Sequence, residues 1–541
     1  MKMTADIILK GNHIFRGKHS ATAPGFVAIK GNKILAVESD LALLEDYTVP
    51  ETKVIDCADG LIMPGFHDCH VHIIEGGIYN TGVDLTGCAS EEEAAKRVAE
   101  YADKHPEKDW ILGCGWYQIY WDSKQLPTKA SLDRYVPDRP VFLENEDGHG
   151  AWVNTCALKM CGITKDTPDP ESGKIFRDEN GEATGYLDEL AMLLCGTSAF
   201  DLNEIYEKQL LDDFTSKAVK FGVTSANDMR PFFEIDLGDL SRYEEAEASG
   251  RLPMRINFAS NLFGNVDDAK SLRERYQGGK LHYIGMKQFI DGVAISYTSF
   301  MKDGYADKKE SKGSPLVARD KLFQAVKAAH MEKIPVHLHV TGDQAIAMSL
   351  DAIEDAIKKY GDFQVPHSLE HLDLIDPLDI PRLHKLHVIA SMQPEHMMPT
   401  ESFAENPYPD RFGETRSRYA WAIGSIMRSG AEVAFGTDYP VAEIDPLQGV
   451  AKAVGRLSDD HNPAGGWNPE EKISVEEALD AYTRGSAAMA GREHELGTLE
   501  PGKLADIAVV DTNLPECSVD EIRAAKVVLT ICDGEIVYEA Q

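Results

Sequence analysis

Eight short runs of β-branched and apolar residues constrain the fold of this 541-residue chain more than any other feature. They cover Leu61–His72, Val223–Met229, Pro253–Ser260, Tyr283–Ile290, Pro335–Val340, Pro366–His371, His387–Gln393 and Glu432–Thr437. Most are separated by segments of crossover length, and helical periodicity is clear over Asp343–Tyr360 and Val475–Tyr482. Eight strands with such crossovers predict an α/β chain closed into a parallel (β/α)8 TIM barrel, whose chemistry gathers at the C-terminal strand ends. The interval 73–222 is too long for one crossover. It carries Trp110, Trp116, Trp121 and Trp152, so a folded insertion over the barrel mouth is expected there.

The two chain ends share a pattern. Phe26–Val37 reads as two alternating strands joined at Gly31-Asn32, and Lys526–Tyr538 repeats the arrangement around Asp533-Gly534, a dipeptide that favours tight hairpins. With Asp6–Leu9 and Ala505–Val510 they predict one small β-sandwich built from both ends. The expected division is residues 1–58 with 490–541 for the sandwich and 59–489 for the barrel.

Charge and composition exclude several partners. The excess of 89 acidic over 55 basic residues, a net −34, opposes binding to nucleic acid or to an anionic membrane surface. No uninterrupted run of about 18 apolar residues marks a membrane span. The start of the chain has only a three-residue apolar run before Lys10, which reads as cytoplasmic. Nine cysteines without a Cys-x-x-Cys pair fit neither a disulfide framework nor a thiolate metal cage. Gly-x-Ser-x-Gly, the phosphate-binding Gly-x-x-x-x-Gly-Lys-Ser/Thr loop and His-Glu-x-x-His are all absent. A small-molecule substrate remains as the expected partner, with self-association into a homo-oligomer left open.

The chemistry begins at Met63-Pro-Gly-Phe-His-Asp-Cys-His-Val-His72. Side chains alternate along a strand, so His70 and His72 point the same way and suit one metal ion at a barrel mouth. His67 and Asp68 are near enough to support them, with Asp68 on the ligand side. Lys287, His339, His371 and Asp438 each fall at the end of another predicted strand. Imidazoles and carboxylates converging in this way are donors for zinc or a similar divalent ion.

These motifs, with Asp147-Gly-His-Gly-Ala-Trp-Val-Asn154, His339-Val-Thr-Gly-Asp343, Glu370-His371, Gly436-Thr-Asp-Tyr-Pro-Val441, Ala481-Tyr-Thr483 and Gly497–Asp506, resemble the amidohydrolase superfamily over nearly the whole chain. The resemblance is to the amidohydrolase family 3 branch, which includes N-substituted formamide deformylase. It implies that His70, His72, His339, His371 and Asp438 hold one or two divalent ions, zinc first among them. It also implies that Lys287 sits where many members carry a carboxylated lysine between two metals. A free ammonium cannot ligate, so Lys287 serves only as its carbamate. His337 shares a strand face with His339, but the family pattern and the strand-end rule both select His339 as ligand. His149 matches a motif that reaches the active site in this branch, where it would contact substrate or an oxyanion. Read from the residues alone, the aromatic side chains of the insertion, Trp152 among them, would either line a substrate lid or form the insertion's own core. The implied reaction is hydrolysis of an amide-like, non-peptide carbon–nitrogen bond by metal-activated hydroxide, with Asp438 as general base and then acid. A deaminase of the same superfamily and a metal-poor binding or regulatory relative are the alternatives.

Overall fold

The structure is a computed structural model that describes every residue except 1–3, 147, 171–172, 203, 233–234 and 541. Eight parallel strands form its centre: β1 (Phe66–Val71), β2 (Val223–Asp228), β3 (Arg255–Asn261), β4 (Leu281–Phe289), β5 (Val336–Val340), β6 (Ser368–His371), β7 (Ile389–Met392) and β8 (Val433–Phe435). They pair in sequence order. A parallel bridge between Val71 and Tyr439 brings the last strand back to the first, so the predicted barrel closes. The strands are covered on both faces, and every residue of β1, β2, β3 and β5 is accordingly buried, polar ones such as Asp68, Asn227 and His337 included. Helices such as Asp343–Tyr360 lay their apolar faces, here Ile346, Leu350 and Ile353, against the outside.

The predicted run Leu61–His72 is two strands. Leu61–Pro64 pairs antiparallel with Ile507–Val510 in a separate sheet, whereas Phe66–Val71 enters the barrel. Gly65 lies at the break because a Cβ there would come within 2.3 Å of the Thr224 hydroxyl oxygen. The separate sheet interleaves both chain ends in the order Glu535–Glu539, Val527–Cys532, Ile507–Val510, Leu61–Pro64, Ile7–Ile14, Ala23–Lys30 and Lys33–Glu38, with Lys53–Asp56 also paired to Ile7–Ile14. Buried Arg255 at the start of β3 fastens this sheet to the barrel. Its guanidinium donates to both carboxylate oxygens of Asp506, at 2.8 and 3.0 Å, and to Asp533 at 2.7 Å.

Between β1 and β2 lies a six-stranded sheet running Gly173–Arg177, Ala183–Glu189, Gly150–Val153, Val141–Asn145, Ile111–Trp116 and Val83–Asp84. Trp116, Trp121 and Trp152 pack together on one of its faces, with ring centroids 5.7–6.2 Å apart. The expected lid role of Trp152 is therefore corrected. The ring is fully buried and its Nε1 donates to the Thr128 carbonyl at 2.9 Å, so it stabilises the insertion from within.

Candidate metal centre at the barrel mouth

Five of the expected residues converge at the C-terminal ends of the barrel strands. Asp438 follows β8, and its two carboxylate oxygens face different histidines. Oδ1 lies 3.4 Å from His70 Nε2 and 3.3 Å from His72 Nε2, whereas Oδ2 lies 3.9 Å from His371 Nδ1. The His70 ring centroid is 5.2 Å from that of His72 and 5.0 Å from that of His371, and the His339 ring lies 4.3 Å from that of His371, tilted by 60°. Lys287 on β4 is fully buried with Nζ 3.4 Å from His70 Nε2. Burial pulls its pKa down to about 8 against the upward pull of Glu370 and Asp438.

Local backbone geometry serves this convergence. The register of β1 against β2 shifts between Asp68 and Val71, an irregularity that falls at Cys69 and His70, within the segment that carries the first histidine of the His-x-His pair. His371 and Asp438 have φ values of 77° and 58°, left-handed conformations that non-glycine residues adopt only where the surroundings compel them and that cluster at functional sites.

Each imidazole is oriented by a partner. Glu370 on β6 approaches His70 Nδ1 at 2.7 Å, which fixes the tautomer with Nε2 free to face Asp438. Glu370 in turn accepts from Ser368, whose hydroxyl lies 2.8 Å from His337 Nδ1. His337 therefore backs the site without entering it. Asp68 ties β1 to β8 by accepting from the amides of His70 and Thr437 and from the Thr437 hydroxyl at 2.6 Å. Burial raises its pKa to about 7. His67 is remote, bonded to Asn227 at 2.7 Å in the barrel interior. His339 Nε2 faces the Gly292 carbonyl at 3.4 Å, leaving its Nδ1 for other partners. His149 reaches over from the insertion, 6.4 Å from the His339 ring, and is held through Nδ1 by Glu189 at 2.9 Å. Asp147, which opens its motif, lies outside the described residues.

His396 also joins the cluster, although it is not among the predicted ligands. It occupies the short turn Pro394–Met397 directly after β7, with Nε2 3.9 Å from Asp438 Oδ2. The rule that selected the other residues, a histidine just beyond a predicted strand, applies equally to Gln393-Pro-Glu-His396.

The donor set fits a divalent cation. Asp438 Oδ1 and His396 Nε2 are buried atoms without a hydrogen-bond partner. Such atoms are costly unless another ligand satisfies them. Two triads, His70–His72–Asp438 and His371–His396–Asp438, each bring three donor atoms within 4.8 Å of one another.

A closed parallel barrel with imidazoles and a carboxylate gathered at its mouth defines the class of metal-dependent barrel hydrolases. The chain belongs to the amidohydrolase family, whose pattern matches residues 53–538. It is 31% identical to the protein LONG AFTER FAR-RED 3 of Arabidopsis thaliana, over 99% of this chain and 92% of that protein. It is 25% identical to the N-substituted formamide deformylase of Arthrobacter pascens, over 95% and 94% of the two chains. An uncharacterised metal-dependent hydrolase from Pyrococcus horikoshii OT3 shares the fold with a TM-score of 0.77 at 23% identity, over 95% of this chain and 99% of that one.

Proposed function

We propose that this protein hydrolyses a non-peptide, amide-like carbon–nitrogen bond of a small molecule at a zinc-type centre formed by His70, His72, His339, His371 and Asp438. The observation that carries the reading is the convergence of these imidazoles on Asp438, with Oδ1 buried and lacking a hydrogen-bond partner. A divalent ion bound there would lower the pKa of a water toward about 7 and polarise a carbonyl.

The remaining roles follow from the chain's own residues. Asp438 stands where it can accept a proton from the attacking water and return it to the departing nitrogen. His149, anchored by Glu189, is placed to donate to the substrate oxygen as charge develops there. Lys287 makes no carboxylate ion pair among the described residues, and conversion to an anionic carbamate would remove a poorly compensated buried cation. The resemblance to a formamide deformylase supports the bond class. The net charge of −34 opposes an anionic surface as partner and so supports a small molecule.

The test combines metal analysis with Asp438→Asn. Metal-loaded protein should hydrolyse at least one member of a panel of N-acyl amines, formamides, hydantoins and lactams. The variant should lose about 10²–10⁴-fold in kcat while remaining folded. Near wild-type kcat with full metal would move the proton to another residue. Protein that takes up no metal and hydrolyses nothing after reloading would refute the hydrolase reading.

A further inference from the structure

Glu189 ends the insertion strand Ala183–Glu189 with φ 46° and ψ −129°. A side-chain-bearing residue takes such a conformation only where the surroundings impose it, and residues so held cluster at functional sites. The strand pairs with Gly150–Val153, Ala151 opposite Leu187, and both of these residues belong to the apolar cluster that includes Ile74 and Ile78, just beyond the His-x-His pair. Glu189 therefore sits where the insertion meets the barrel mouth, and it is only 8% exposed.

Its two carboxylate oxygens have different surroundings. Oε2 lies 2.9 Å from His149 Nδ1, and the backbone reinforces that pair, with the Glu189 amide donating to the His149 carbonyl at 3.1 Å. Oε1 is buried and has no hydrogen-bond partner among the described residues. It reaches the segment just beyond β4, where a Cβ on Gly292 would come within 3.2 Å of it. The Gly292 carbonyl in turn lies 3.4 Å from His339 Nε2. An unmatched carboxylate oxygen thus stands beside the histidine cluster, on the side where His149 enters. Among the described residues no Lys or Arg forms an ion pair with Glu189, so the chain itself does not supply the missing donor.

We infer that Glu189 Oε1 accepts the N–H of the bond to be cleaved, so that the substrates are amide-like compounds whose scissile nitrogen carries a hydrogen. The inference rests on the hydrolase reading and names the substrate class within it. An amide offers an acceptor and a donor on neighbouring atoms. With its oxygen toward His149 and its N–H toward Glu189, one hydrogen-bonded pair of side chains reads both halves of the group. Such a site rejects an analogue lacking the hydrogen, because the carboxylate would then be desolvated and left unmatched.

Every compound that metal-loaded protein hydrolyses is assayed beside its N-methylated counterpart, beginning with N-butylformamide and N-butyl-N-methylformamide. Wild type should favour the N–H member at least about a hundredfold in kcat/KM. Glu189→Gln should shrink that preference at least about tenfold with metal content unchanged, because the glutamine spends its one oxygen on His149 and turns an NH₂ toward the substrate N–H. A merely structural defect would lower both members alike. Soaking zinc-loaded wild-type crystals with formamide gives a readout that needs neither turnover nor the variant: an amide nitrogen within about 3.2 Å of Glu189 Oε1. Equal treatment of both members by the wild type, an unchanged preference in Glu189→Gln, or no formamide nitrogen at that place would overturn the assignment and leave the hydrolase reading standing. A wild type that takes up no metal and hydrolyses nothing would overturn both.

Discussion

At the level of single residues, Glu370 decides which nitrogen of His70 faces the centre. It is wholly buried, takes His70 Nδ1 through Oε2 and receives Ser368 on its other oxygen, so neither end of the carboxylate is free to turn. Glu370→Gln presents an amide that can accept with one end only and donate with the other, and it loses the charge that raises imidazole basicity. The expected outcome is a fall of about 10–100-fold in metal affinity, measured by competition with a chromophoric chelator; unchanged affinity would mean that strand packing alone orients His70. The residues that the structure gathers at the barrel mouth were legible because each lies at the end of a run with strand periodicity. The contact between His70 and Glu370 was not, since it joins residues 300 apart and depends on how β1 and β6 face each other across the barrel. Trp152 illustrates a different limit: an aromatic cluster has the same composition whether it lines a lid or fills a core.

Among the elements, β1 and β8 form the seam on which the centre depends. Gly436 occupies that seam because a Cβ there would lie 2.7 Å from both Asp68 Oδ1 and the His70 amide nitrogen. Gly436→Ala should push the strands apart, costing about 1–3 kcal/mol in stability and part of the bound metal. Chemical denaturation with metal analysis on the same sample checks both; a variant with wild-type stability and full metal would show that the seam tolerates expansion. The number and order of barrel strands could be read from the sequence, because the runs rich in β-branched and apolar residues recur at crossover spacing even where strands such as β2 carry several polar residues. The division at Gly65 was missed although Pro64-Gly65 is a dipeptide that marks breaks, because strand-forming residues stand on both sides of it; the close approach of Thr224 shows why glycine is needed there.

For the molecule as a whole, buried charge and buried histidine set the stability. Arg255→Met would leave Asp506 without its guanidinium partner and should cost about 3–5 kcal/mol, with Asp506→Asn in the same chain restoring much of the loss. Equal stability of wild type and single variant in urea would show that the clamp is dispensable. His67 and His337 are each held by burial at a pKa of about 4, below the ordinary 6.5. Between those values the unfolded chain binds more protons than the folded one. The contribution of these two histidines is therefore full above pH 6.5 and falls as the pH drops toward 4, by up to about 1.4 kcal/mol per pH unit for each, while buried acids such as Asp68 and Asp291, raised by burial to about 7, act in the opposite direction. Urea denaturation at pH 7.5 and 5 should show His67→Gln losing less stability on acidification than the wild type; the same pH dependence in both would contradict it. The interleaving of both chain ends in one sheet also sets an order of events during synthesis. Leu61–Pro64, which leads directly into β1, pairs with Ile507–Val510. At roughly 5–20 residues per second that partner leaves the ribosome about 20–90 s later. Throughout that interval the nascent chain presents an unpaired strand edge beside the segment carrying His70 and His72, so the strand that leads into β1 completes its pairing only after nearly all of these 541 residues have been made.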